Sequence, residues 1–450
     1  MQRSSSVIVI AVALLACCSS PAPSPRGASR APTPASSSTT PTQPEASQVP
    51  ASSVISTAPL EPERIVIGLE DLPLPGAEES RNPPQVVDPP EDATLRVPPG
   101  FQVNVFADDI ASARWLARTP SGEILVAQSR ENRITLLADR DGDGVAEVRE
   151  VFADAERDDP LNIPFGMAFA GGSFYLGNQD EVRRFPYRAG QRRLEGEGER
   201  ITSLPGGGYN QHWTRNVVVS PDGERLFVSI GSESNNDVEA LPRASVQVMA
   251  LDGSARTTFA RGLRNPVGLA FHPRTRALWA TVNERDGLGD DLVPDYLAHL
   301  QEGEHYGWPW VYLAPHLRDP HHAGAELPAA VARTVTPEVL FQAHSAALGL
   351  AFYAGRTFPA RYRGGAFVAF RGSWNRDRGT GYQIAFVPFD AAGRPEGGYQ
   401  PFVEGFLLDP ATARTWGRPV GVLVAPDGSL LFTEEMHGRV YRVQFVGSAG

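Results

Sequence analysis

Cysteine is almost absent from this chain of 450 residues, occurring only at Cys17 and Cys18. A disulfide framework or a cysteine-based zinc site in the folded region is therefore excluded. Positive charge is not concentrated anywhere: the net charge is -11 and no segment is a dense basic run. That argues against nucleic acid as the main partner, because phosphate binding needs clustered cations. The apolar run near the N-terminus covers only residues 7–16, too short to cross a bilayer as a helix. What is abundant is 44 Gly and 40 Pro, which point to many turns and hence to β structure. The length suffices for a large core.

Arg3 precedes the apolar run, which ends Leu14-Leu15-Ala16-Cys17. This resembles a bacterial lipoprotein signal. The resemblance implies a signal peptide over 1–16 and lipidation of Cys17. It also implies anchoring in the bacterial cell envelope through lipid alone, and Cys18 in place of an Asp tilts the location towards the outer membrane. From Ser19 to about Pro62 the chain is nearly all Pro, Ser, Ala and Thr, which reads as a disordered tether. Residues 63–95 are expected to hold little packed structure, so the linker is drawn over 17–94 and the folded domain over 95–447.

The folded region is periodic. Pro164-Phe165-Gly166-Met167-Ala168-Phe169, Pro266-Val267-Gly268-Leu269-Ala270-Phe271, Ala347-Leu348-Gly349-Leu350-Ala351-Phe352 and Pro419-Val420-Gly421-Val422-Leu423-Val424 share one phrase, and looser versions begin at Trp115 and Thr214. Turn signals follow at Thr119-Pro120-Ser121-Gly122, Ser220-Pro221-Asp222-Gly223 and Ala425-Pro426-Asp427-Gly428. Second apolar strands come next, as in Arg225-Leu226-Phe227-Val228-Ser229. Six such units predict an all-β fold, a six-bladed β-propeller, with the strand beginning at Phe101 closing the ring against the last blade. The spacing stretches over roughly 283–343 and 371–416, which are read as insertions walling the active site.

Only the fourth repeat opens with Arg264-Asn265-Pro266. The phrase Gly262-Leu263-Arg264-Asn265-Pro266-Val267-Gly268 resembles the quinoprotein glucose/sorbosone dehydrogenases. Arg96-Val97-Pro98-Pro99-Gly100-Phe101, Asn210-Gln211-His212, Tyr306-Gly307-Trp308-Pro309 and Gly417-Arg418-Pro419 match the same family, over about 95 to 446. The resemblance implies a propeller that uses pyrroloquinoline quinone (PQQ) with calcium. It would oxidise an aldose or related sugar and pass electrons to a downstream acceptor. It makes His212 the general base, with Arg264 facing the quinone oxygen that gains charge and Asn265 beside it. Arg418 would hold a cofactor carboxylate. Where the family places a lysine, Arg371 and Arg376 stand as replacements, Arg376 first. Calcium is expected in the segment 283–291, at Asp286 and Gly287. Two departures stand out. Ser232 occupies the place of an aspartate that orients the histidine, with Glu233 as a substitute, and Leu161 stands where a polar cofactor contact belongs.

A separate motif runs from Asp139 to Glu150. Asp139, Asp141, Asp143, Val145 and Glu150 fall at calcium-loop positions, with Gly144 at the sharp turn. It is expected to clamp structure far from the active mouth. Two other functions remain open: a calcium-dependent propeller hydrolase of the lactonase kind, and a tethered binding module without catalysis.

Overall fold

The computed structural model describes residues 49–76, 80–157, 159–207 and 212–447. The repeats become five four-stranded antiparallel sheets and one six-stranded sheet. The first contains Ala113–Arg118, Ile124–Gln128, Arg133–Ala138 and Val148–Asp154. The second to fifth open with Met167–Ala170, Val217–Val219, Asn265–Phe271 and Ala347–Phe352. The sixth opens with Pro419–Val424 and continues through Leu430–Glu434 and Arg439–Phe445. As expected, Phe101–Ala107 then adds antiparallel to Arg439–Phe445, with Val103 opposite Val443.

Each first strand packs on the first strand of the next sheet, and that of the sixth packs on that of the first. This packing explains the repeated glycine. A Cβ on Gly268 would collide with the Leu348 carbonyl, one on Gly349 with that of Val420, and one on Gly421 with that of Arg114. Each glycine therefore marks where the neighbouring inner strand comes closest. Threonines reinforce two of these seams. Thr281 Oγ1 accepts from Gly268 N (2.9 Å) and donates to Leu348 O (2.6 Å). Thr433 Oγ1 does the same between Gly421 N (2.8 Å) and Arg114 O (2.7 Å). The predicted turns close as read, with Gly122 N bonding Thr119 O and Gly223 N bonding Ser220 O.

Two expectations are corrected. The stretched spacings are not insertions outside the sheets, because they contain the third strands Tyr296–Leu300 and Gln383–Val387. The linker over 17–94 is also too long. Val54–Pro59 pairs with Phe101–Ala107 and, in parallel, with Thr94–Val97. Gln85–Val86 pairs in parallel with Arg414–Thr415. These pairings make the described residues 49–76 and 80–94 a strap on the sheets, because extended backbone inside a Pro-rich stretch supplies ladder bonds without a readable side-chain period. The signal peptide, Cys17 and most of the tether lie outside the described residues. Among the described residues no helix is long and apolar enough to cross a membrane.

Candidate functional site

One cavity of about 890 Å³ opens at the end of the sheets where first strands begin and second strands finish. Apart from Arg81 on the strap, its lining residues come from the approach to or start of a first strand, or from the link between second and third strands. Such loop clusters place side chains of distant sequence positions together on a rigid frame.

His212 lies just before the third sheet and is buried. Arg215 pins its loop, donating from Nη1 to His212 O (2.9 Å) and Thr214 O (2.8 Å) and from Nη2 to Pro205 O (2.7 Å). The ring Nδ1 faces Ser232 O at 3.0 Å and Ser232 Oγ at 2.9 Å. Ser232 Oγ spends its proton on Ser234 O at 2.6 Å. Both groups at Nδ1 therefore accept, which places the proton on Nδ1 and the lone pair on Nε2. Burial, then the Arg264 charge, pushes the imidazole down to about 3. His212 is thus neutral and basic in form at pH 7. Glu233, the proposed substitute orienter, is exposed, and its amide instead bonds Glu239 (2.8 and 2.7 Å). Ser232 itself performs the orienting role.

Arg264 is buried beside it. Its Nη1 donates to Glu284 O (2.6 Å), Nε to Asn235 O (3.2 Å), and Nη2 to Asn235 Oδ1 (3.0 Å) and Asp286 Oδ2 (2.9 Å). Asp286 also accepts from Asn375 Nδ2 (2.9 Å) and lies 3.5 Å from His344 Nδ1. Of the residues expected to hold calcium, Asp286 is already engaged: its carboxylate faces donors, two of them basic, and its carbonyl accepts from Asn235 and Arg285. The oxygens left over around this wall are Asn265 Oδ1, Glu284 Oε1 and Asn375 Oδ1, all buried with no hydrogen-bond partner among the described residues. Burial raises the Glu284 carboxyl to about 7 and the Asp295 carboxyl to about 6.

The opposite wall is cationic. Arg114 and Arg371 both pair with Glu435, from opposite carboxylate oxygens. Arg418 donates to two carbonyls, Arg371 O (3.1 Å) and Gly372 O (2.9 Å), and its side chain meets no carboxylate. Burial, then Arg371, pulls its guanidinium down to about 9. Despite burial, Arg114, Arg371 and Arg418 hold the Glu435 carboxyl at about 2. Arg114 also stacks 4.9 Å over Trp213, and its Nε is buried without a partner. Arg130 lines the same wall.

The sequence-based choices are thus sorted. His212, Arg264, Asn265, Arg371 and Arg418 converge on one cavity. Arg376 does not; it turns to Asp290 O (2.6 Å) and Asp291 (2.8 Å). Leu161 packs into the apolar core, and Gln179 supplies the polar lining there. Arg114, Arg130, Glu435, His344 and Asn375 went unnoticed in the sequence. A signal did exist: the chain has no lysine, so all 41 basic side chains are arginine, and any cationic wall must be built from them. The remote loop brings Asp139, Asp141 and Glu147 oxygens within 4.8 Å of one another. Glu150 is corrected, because it pairs with Arg192 instead (2.6 Å). Asp143 Oδ1 accepts from the amide of Val145 (2.8 Å).

Comparison with known proteins fits this geometry. An uncharacterized protein of Borreliella burgdorferi is 28% identical over 364 residues, covering 78% of this chain and 91% of that protein. A calcium structure of the Trichoderma reesei carbohydrate-active enzyme family AA12 superimposes with a TM-score of 0.68 at 20% identity, covering 80% of this chain and 98% of that one. The holo form of a pyranose dehydrogenase PQQ domain from Coprinopsis cinerea does so with a TM-score of 0.65 at 19% identity, covering 80% and 99%. The family model described as TrAA12-like matches residues 95–294 and 329–445, and with more than half of the chain matched, this protein belongs to the TrAA12-like family.

Proposed function

We propose that the sheets form a closed six-bladed propeller whose mouth holds PQQ and calcium and oxidises an aldose or related sugar. The observation that carries this reading is the convergence of His212 and Arg264 with Arg114, Arg371 and Arg418 around one cavity. The residues suit the cofactor. PQQ carries three carboxylates, and the arginine wall holds cations in excess of its one carboxylate, with Arg114 Nε buried and unpartnered. Calcium prefers oxygen donors, and Asn265 Oδ1, Glu284 Oε1 and Asn375 Oδ1 are orphan oxygens among the described residues of the facing wall. When bound, the quinone supplies a two-electron acceptor for hydride.

His212 Nε2 takes the proton of the substrate hydroxyl while hydride leaves the same carbon. Ser232 keeps the opposite nitrogen protonated, which makes Nε2 the basic nitrogen. Arg264, fixed by four hydrogen bonds, holds developing negative charge without having to reorganise. The walls exclude bulk water and bring the hydroxyl to the imidazole. A lactonase-type hydrolase would need inward oxygen ligands from several sheets, whereas the first, fourth, fifth and sixth sheets turn Arg114, Arg264, Arg371 and Arg418 into the cavity. The protein would act from the cell envelope, tethered by lipid at Cys17 and passing electrons to an external acceptor.

The test is direct. Purified protein is titrated with PQQ and calcium, quinone absorption is recorded, and dye reduction is followed with a panel of sugars. Saturable uptake with sugar-dependent dye reduction supports the reading. No uptake at saturating calcium sinks it, and uptake without turnover leaves a binding module.

A further inference from the structure

The family match begins at residue 95, yet one cavity-lining residue lies before it. Arg81 sits on the strap, which is fastened on both sides of the mouth. Gly76 N bonds Leu288 O (2.9 Å) in the link of the fourth sheet. Asn82 N bonds Trp374 O (3.0 Å), and Asn82 Nδ2 bonds Asp377 O (2.8 Å) with longer bonds to Pro410 O and Ala411 O (both 3.3 Å). Gln85 N then bonds Ala413 O (3.0 Å), and the strand pair Gln85–Val86 with Arg414–Thr415 continues the attachment. This anchoring presents the Arg81 guanidinium 5.8 Å over the Trp374 ring.

Four other arginines of the cavity differ in one respect. Arg264 bonds Asp286, Arg114 and Arg371 bond Glu435, and Arg418 bonds two carbonyls. Arg81 and Arg130 are exposed, and among the described residues neither has a carboxylate or carbonyl partner; of the two, Arg81 is the one that stands over an indole. A guanidinium with no anionic partner among the described residues, beside an indole face, matches a ligand with a carboxylate on an apolar-faced ring. The buried arginines, not this outer one, are placed for the cofactor.

We propose that the strap supplies the substrate-selecting residue of this site: Arg81 recognises the carboxylate of an anionic sugar of the uronic-acid class. The proposal rests on the sugar-oxidising reading above. Its test compares the full chain with Arg81→Ala and Arg81→Lys, measuring glucuronate and glucose binding by calorimetry and KM for each in the cofactor-loaded protein. Wild type is expected to prefer glucuronate. Arg81→Ala should lose about 10- to 100-fold in glucuronate affinity, as for a lost charge-assisted pair, with glucose unchanged, and Arg81→Lys should recover part of the loss. No preference in wild type, or an equal loss for both sugars, overturns the proposal. So does weaker PQQ uptake by Arg81→Ala, which would hand the residue to the cofactor. Failure of wild type to take up PQQ would sink the functional reading alone, since the calorimetric contrast between glucuronate and glucose needs no turnover.

Discussion

The two walls of the cavity solve opposite electrostatic problems. On the arginine wall, Arg114 and Arg371 share one carboxylate, Glu435, while Arg418 bonds only carbonyls, so positive charge is in excess. On the fourth-sheet wall, Glu284, Asp286 and Asp295 face one arginine, Arg264, and burial leaves two of these acids reluctant to ionise. One wall is short of an anion and the other is short of a cation. A chain of net charge -11 that nonetheless buries several guanidiniums at one mouth bears the desolvation of those groups for a ligand that neutralises them. A cofactor with carboxylates on one side and calcium on the other would complete both walls together.

The largest effect is expected where the walls meet. His212→Gln should cut turnover by about 10³-fold, in the range of lost general-base catalysis, while quinone uptake by the arginine wall stays intact. Single-turnover absorption separates the two, and wild-type turnover would remove His212 from the chemistry. Next comes Glu435→Gln, which leaves Arg114 and Arg371 without their shared partner. Denaturant unfolding should report a loss of about 3 kcal/mol, as for a broken buried pair. Saturating PQQ should restore much of that loss if the wall is built for carboxylates.

pH sharpens the contrast because the two walls have opposite signs. Glu435 is held at about 2, below its ordinary 4.5, so its contribution is present above pH 4.5 and fades as pH falls towards 2. Glu284 is raised to about 7, so its neutral form contributes fully below pH 4.5 and that contribution is lost as pH rises through 7. In calcium-free protein, Glu284→Gln should therefore raise stability at pH 8 by on the order of 2 kcal/mol and change little at pH 4. Calcium should stabilise wild type more at pH 8 than at pH 5, and Glu284→Gln should flatten that difference. Equal calcium effects at both pH values would move the ion off this wall.

The scaffold was largely legible in the sequence because its signals are local. The repeated glycine marks each close inner-strand contact, and the Pro-Asp-Gly turns set the hairpins. Within the site, His212, Arg264 and Arg418 were legible because they interrupt or border that repeat. Arg114 and Glu435 were not, since nothing local distinguishes them and their meeting depends on the sixth sheet packing against the first. Arg376 was chosen over Arg371 from a run of arginines whose directions only the link after Phe370 decides. The strap was missed because its strands borrow their partners from distant sheets and carry no period of their own.

The smallest predicted effect concerns Ser232, which ties the base to the fourth-sheet wall. Its amide donates to Arg264 O (2.7 Å) while its carbonyl and hydroxyl face His212 Nδ1, so one residue sets both the base and the arginine beside it. Ser232→Ala keeps the carbonyl and so keeps the Nδ1–H tautomer. The cost should be the loss of one neutral hydrogen bond, about 1 kcal/mol, seen as a several-fold lower kcat with KM unchanged. Ser232→Asp asks the opposite question. A carboxylate facing Nδ1 favours the protonated ring, so the His212 pKa should rise and the acidic limb of the pH–rate profile should move to higher pH. If instead Ser232→Ala erases activity as completely as His212→Gln, the hydroxyl carries the tautomer and the neutral carbonyl does not suffice.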